Sequence, residues 1–251
     1  MEIIAHRGAS GLAPENTAVS FREAIRHGAG WLEFDVRFSK DDVPVVIHDP
    51  SLKRTTNGRG QVRERTLAEL RRLDAGSWFG AKFSAERIPA LDDLLKLGTR
   101  VHLNLEIKAR SAPAERAAEL VWGRVREAGV QDRILVTSFD VKILRSLREI
   151  APEVALGFPW ESGLRDPVRR ALSLGCRMML LDVAALSEKR VRRCREAGLD
   201  VWVYTVNDPE EMRRVMDLGV GGLVTDRPDL LSELVRQDAQ LNHTGFPRVD
   251  V

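Results

Sequence analysis

Short runs of β-branched and other apolar residues alternate with stretches of helical periodicity along nearly the whole chain, and this alternation restricts the fold more than any other feature. Strand, helix and strand in succession make a parallel pair joined by a crossover. Eight such units can be read, with strands at 2–6, 31–37, 101–108, 133–139, 154–158, 177–181, 201–206 and 222–225. Gly28, Gly98, Gly129, Gly175, Gly198 and Gly219 stand where a helix should stop before the next strand. Eight βα units can close into a (β/α)8 TIM barrel, and 251 residues is the usual length of one such domain. A doubly wound open sheet fits less well, because it has fewer strands and no Gly-rich dinucleotide turn follows the first strand here.

One segment interrupts the rhythm. Residues 49–87 add length after the second strand, with Thr55-Thr56-Asn57-Gly58 reading as a tight turn and 66–73 as a short helix. The expectation is an α/β barrel domain over residues 1–240 that carries a small insertion subdomain at its mouth, where Trp78 and Phe79 either cover a ligand or form the subdomain's own core. The Gly, Pro and polar residues of 241–251 read as a C-terminal tail.

The net charge of +2 comes from acidic and basic residues scattered together, without the basic stripe of a nucleic-acid binder. The two cysteines, Cys176 and Cys194, are too few for a zinc module and suit buried thiols in a reducing compartment. The first residues lack a signal-peptide pattern, and no apolar run approaches the ~18 residues a membrane span needs. A cytoplasmic protein with no membrane and no nucleic-acid partner is expected. Barrel enzymes often form homodimers, although nothing in the sequence marks an interface.

Side chains alternate along a strand, so Trp31, Glu33, Asp35 and Arg37 share one face while Leu32, Phe34, Val36 and Phe38 share the other. The apolar set belongs under the helices, which turns Glu33 and Asp35 into the barrel near the carboxyl end of the strand, where barrel active sites are built. The third strand repeats the arrangement, with His102, Asn104, Glu106 and Lys108 inward. Three inward carboxylates are costly to bury unless a cation or protons compensate them. A divalent ion of the oxygen-seeking kind, Mg²⁺ or Ca²⁺, meets that need, and so does an internal network with Arg37 and Lys108. Two of the five histidines, His6 and His48, fall beside this cluster in strand order and suit the acid and base of a hydrolysis, or structural hydrogen bonding.

These residues resemble the glycerophosphodiester phosphodiesterase family. His6-Arg7-Gly8 and Pro14-Glu15-Asn16-Thr17 look like its opening signature, and Glu33-Phe34-Asp35-Val36 and Val46-Ile47-His48-Asp49 like its next two blocks. The similarity continues through Leu52-Lys53-Arg54-Thr55-Thr56-Asn57-Gly58, Leu73-Asp74-Ala75-Gly76-Ser77-Trp78, Ile88-Pro89-Ala90-Leu91, Glu106-Ile107-Lys108, Ser138-Phe139 and Thr225-Asp226-Arg227-Pro228, covering residues 1 to 230. Two positions depart from the family pattern: Tyr204 replaces the tryptophan of a Trp-Thr-Val-Asn block, and Gly221 stands where aspartate is common.

The resemblance implies an enzyme that cleaves glycerophosphodiesters into sn-glycerol 3-phosphate and an alcohol. It implies that Glu33, Asp35 and Glu106 hold a divalent metal, that His6 and His48 act as acid and base, that Lys108 stabilises phosphate charge, and that Arg7 contacts phosphate or holds the carboxylates. It also favours attack by the substrate's own glycerol hydroxyl through a cyclic phosphate. Phe158, Trp160 and Tyr204 are candidate contacts for the glycerol or the alcohol. Two other functions use the same site: phospholipase D-like cleavage of lysophospholipids, and a non-catalytic barrel that binds phosphodiesters. The first calls for an apolar groove, and the second for the loss of a histidine or carboxylate.

Overall fold

The computed structural model describes residues 1–97, 101–108 and 112–243. Eight parallel strands close a barrel: β1 (Glu2–His6), β2 (Trp31–Phe38), β4 (His102–Ile107), β5 (Ile134–Thr137), β6 (Ala155–Trp160), β7 (Met178–Asp182), β8 (Asp200–Tyr204) and β9 (Gly222–Thr225). Closure is made by β1, which pairs in parallel with both β2 and β9. A further strand, β3 (Pro44–Val46), runs antiparallel to β2, with Val36 opposite Val46. The sequence reading missed it because three residues carry no measurable period.

Helices α1 (Ala18–Arg26), α2 (Leu67–Leu70), α3 (Leu91–Leu95), α4 (Ala114–Ala128), α5 (Val141–Ile150), α6 (Pro167–Ser173), α7 (Glu188–Glu196), α8 (Pro209–Asp217) and α9 (Pro228–His243) complete the regular structure. Their starts follow from local chemistry. Asp140 accepts from the Lys142 amide to cap α5, and Asp208 accepts from the amides of Glu210 and Glu211 to cap α8, with Pro209 in the first turn. Each then buries one stripe, as Ile143, Leu144 and Leu147 do on α5. Gly129 ends α4 in the left-handed region at φ +66°, and Gly28, Gly175, Gly198 and Gly219 follow their helices in the same way. Gly98 lies outside the described residues.

Three apolar clusters divide the work. The outer one sets Leu32, Phe34, Val36 and Phe38, with Leu103, Leu105 and Ile107, against the helices. A second, made of Ile4, Leu135, Met178, Leu180, Trp202 and Val224 with Trp31, plugs the barrel interior. Trp31 stacks on His102 at 4.6 Å and meets Trp202 edge-on at 4.8 Å. The third cluster, Val45, Ile47, Leu52, Val62, Leu70, Ala75 and Ile88, belongs to the segment after β2.

Several expectations are corrected. The helix read at 66–73 is the shorter α2, capped by Thr66, whose hydroxyl accepts from the Glu69 amide. The tail read from 241 begins inside α9, which runs through His243, and residues 244–251 lie outside the described set. Phe158 and Trp160 face the helices in the outer cluster, so neither points into the barrel interior. Gly157 and Pro159 take the inward positions on β6: a side chain on Gly157 would meet Leu180 and Thr137. No helix among the described residues is long and apolar enough to cross a membrane.

Trp202 is 2% exposed at the centre of the interior plug, so Trp202→Ala should destabilise the barrel. The expected cost is about 3–5 kcal/mol, read as a fall in Tm on the order of 10 °C in thermal denaturation.

Candidate active site

The plug occupies the lower part of the barrel, and the inward positions above it on β1, β2 and β4 are polar. The register sets Glu33 of β2 beside both His6 of β1 and Asn104 of β4, and Asp35 beside Glu106. One oxygen from each of Glu33, Asp35 and Glu106 lies within 4.8 Å of the others. Asp35 is buried to 1% exposure, and Lys108 bridges it to Glu106, with Nζ 2.8 Å from Asp35 Oδ1 and 2.7 Å from Glu106 Oε1. Asn16 donates to Asp35 Oδ2 at 2.8 Å.

Arg7 holds the carboxylates from the other side. It follows β1 with φ +55°, which directs its backbone N–H to Glu33 Oε2 at 2.9 Å. Its guanidinium reaches Glu15 at 3.0 Å and lies 3.2 Å from Asp35. The turn depends on Gly8, at φ +81°, where a Cβ would come within 2.7 Å of the Ser20 backbone. Of the internal network that is the alternative to a metal, the Lys108 part forms, whereas Arg37 Nε donates to the His48 carbonyl at 2.6 Å.

Burial first, then the neighbouring Asp35, lifts the Glu33 carboxyl to about 7. Burial also raises Glu106, against the pull of Lys108. For Asp35 the effect of burial is outweighed by Lys108 and Arg7, which hold it well below the usual range. Three acids with two cations therefore leave an unbalanced negative charge. An all-oxygen donor set of this size fits a hard divalent cation, and Glu33, Asp35 and Glu106 are the residues that would hold it.

Both histidines are held the same way. His6 Nδ1 is 2.7 Å from Asp226 Oδ1, and His48 Nδ1 is 2.7 Å from Asp49 Oδ1, which leaves each Nε2 for a ligand. Asp226 is fixed in turn by Ser10 and Asn207. Burial pulls the His6 pKa down, but the Asp226 hydrogen bond and the Glu33 charge outweigh it and the net shift is upward. His48 is lowered: burial, Lys108 and Arg7 together exceed the effect of Asp35.

His6, Glu33, Asn104, Glu106, Thr137, Phe139, Pro159, Leu180, Tyr204 and Val224 line one cavity. The Tyr204 hydroxyl is buried in its wall and has no hydrogen-bond partner among the described residues. A larger groove of about 500 Å³ lies between α3 and α4, lined by Asp92, Lys96, Arg124, Glu127 and Arg133. It holds none of the inward acids or histidines, so chemistry and not volume locates the site. Trp78 and Phe79 pack edge-on to each other at 5.6 Å and remain 41% and 37% exposed.

The structure thus brings together His6, Arg7, Glu33, Asp35, His48, Glu106 and Lys108, with Tyr204 on the wall, and leaves Phe158 outside. Sequence reasoning quoted Glu15, Asp49, Arg54 and Asp226 only as motif letters and gave them no role. Asp226 lies 220 positions from His6, a separation no local pattern bridges. Asp49 was within reach, since an acid directly follows a candidate catalytic histidine.

The profile of the Glycerophosphoryl diester phosphodiesterase family matches residues 6–230. A glycerophosphodiester phosphodiesterase of Caldanaerobacter subterraneus is 37% identical over 237 residues, covering 94% of this chain and 98% of that one. A phosphodiesterase of Oleispira antarctica, solved in complex with the product sn-glycerol-3-phosphate, superposes with a TM-score of 0.90 at 32% identity, covering 94% of this chain and 97% of the other. A glycerophosphodiester phosphodiesterase of Agrobacterium tumefaciens gives 0.82 at 32% identity, with 93% and 99% covered.

In metal-free protein, the His6 ring should titrate above the ordinary value of about 6.5 and the His48 ring below it. NMR titration of the two imidazoles, assigned with His6→Ala and His48→Ala, checks the order. The reverse order would contradict this description of the site.

Proposed function

The chain belongs to the glycerophosphoryl diester phosphodiesterase family and is an enzyme that hydrolyses glycerophosphodiesters, and we propose that it does so with a divalent metal and a histidine pair as acid and base. The observation that carries this reading is the constellation itself: three acids within 4.8 Å, flanked by two histidines whose Nδ1 atoms are each held by a carboxylate. When bound, the metal supplies neutralisation of phosphate charge.

The rest falls to the chain's own side chains. Lys108 and Arg7 add positive charge beside the acids and draw in the anionic phosphate. His48, with its lowered pKa, takes the proton of the attacking hydroxyl, whether that of water or of the substrate's glycerol. As the bond from phosphorus to the alcohol breaks, His6, with its raised pKa, protonates the departing oxygen. Where the glycerol hydroxyl attacks first, the roles reverse and water opens the cyclic phosphate. The products are sn-glycerol 3-phosphate and the alcohol. The unpartnered Tyr204 hydroxyl is the group on the wall suited to a substrate hydroxyl.

Protein stripped with EDTA should release glycerol 3-phosphate from glycerophosphocholine or glycerophosphoethanolamine only after Mg²⁺ or Ca²⁺ is restored. His6→Ala and His48→Ala should each lower kcat by about 10²–10⁴-fold. No release from either substrate with any divalent ion would sink the reading, and turnover of lysophospholipids alone would move it to the lipid-cleaving alternative. Because Glu33 sits at about 7, metal uptake at pH 7 should also expel protons, on the order of half a proton per site. Calorimetry in buffers of different ionisation enthalpy measures this, and uptake with no proton release would contradict a protonated Glu33.

A further inference from the structure

Arg54 stands on the segment after β2, outside the set of groups facing the cavity, and its guanidinium is 43% exposed. It nevertheless makes four hydrogen bonds to two carboxylates. Nε and Nη2 meet Asp49 at 2.7 and 3.0 Å, and Nη1 and Nη2 meet Glu15 at 2.6 and 2.8 Å. Both carboxylates lead inward. Asp49 carries His48 on its Oδ1, and Glu15 carries the Arg7 guanidinium, which adjoins Asp35.

We propose that Arg54 is a positioning residue with two separable arms, one through Asp49 that aims the His48 ring and one through Glu15 that places Arg7 for the phosphate. The inference rests on the reading of His48 and Arg7 given above. Asp49 is a short side chain next in sequence to the histidine it orients, and a quarter of its surface is open to solvent. Without a second anchor it would be free to rotate into water. Arg54 supplies that anchor with two parallel N–H groups, and its hydrogen bonds are the largest cause that brings Asp49 down to about 2. The same fork turns its other edge to Glu15, where a lysine ammonium could not match both carboxylates at once.

A purely structural role fits poorly. The segment has its own buried cluster, from Val45 to Ile88, that does not include Arg54, and half-exposed ion pairs add little to stability. The two arms predict different kinetic signatures, since aim at the reacting proton enters kcat and placement of the phosphate enters KM.

Arg54→Ala should lower kcat for glycerophosphocholine about tenfold and raise KM several-fold, while the Tm stays within a few degrees. Arg54→Lys should recover little of either, and it replaces Arg54→Ala in every comparison if the alanine variant does not fold. In an Asp49→Asn background the kcat effect of removing Arg54 should vanish, and in a Glu15→Gln background the KM effect should vanish. Kinetic constants within roughly twofold of the parent, or undiminished effects in both backgrounds, would overturn the proposal. NMR of the ring nitrogens supplies a readout without turnover: loss of Arg54 should shift the Nδ1 signal of His48 and leave that of His6 in place, and unchanged signals at both would also overturn it. Parent enzyme inactive on every glycerophosphodiester would mark failure of the functional reading, and the ring signals would then decide the Arg54–Asp49–His48 arm alone.

Discussion

Two adjacent parallel strands present acids to the same space, and the mutual repulsion of Glu33, Asp35 and Glu106 governs everything built around them. Their register is fixed by the β2–β4 ladder, which pairs Asp35 with Glu106, so the chain cannot relieve the repulsion by sliding one strand against the other. A slip of one residue would also turn Leu32, Phe34 and Val36 into the barrel. The apolar outer faces of these strands thus force the acids together. Lys108, Arg7 and Asn16 are arranged as partial compensation, which leaves net negative charge and room for a further cation.

The barrel itself was legible because its signal is long-range in number and local in form. Each strand announces itself by a run of a few apolar residues and most of the crossover helices by a glycine after their last turn, and eight repetitions leave few alternatives. The inward set was legible for a related reason: alternation on 32–38 and 102–107 separates acids from apolar residues with no exception. What stayed hidden has physical causes as well. Pro44–Val46 is too short to show alternation. On β6 the strand runs two residues past its expected end, through Pro159 and Trp160, and inward parity belongs to Gly157 and Pro159, small residues that offer no polar signal. Two large aromatic rings beside them invited the wrong assignment.

The supporting shell was legible only as resemblance. Asp226, Asp49, Glu15 and Arg54 lie in motif blocks, but charged residues on loops look alike until the fold shows which side chains they meet. Here they meet histidines and arginines of the site. Two His–Asp pairs, built from unrelated loops, solve the same problem: a ring with two equivalent-looking nitrogens must offer one of them reliably.

The pair on the first strand has a temporal side. His6 and Asp226 stand 220 positions apart, Ser10 helps to hold the pair, and β1 has its place only once β9 has docked beside it. Contacts separated by this much chain form late and together. A partly closed barrel can carry all three acids and still lack the His6–Asp226 pair, so the aim of the His6 ring is set only by closure.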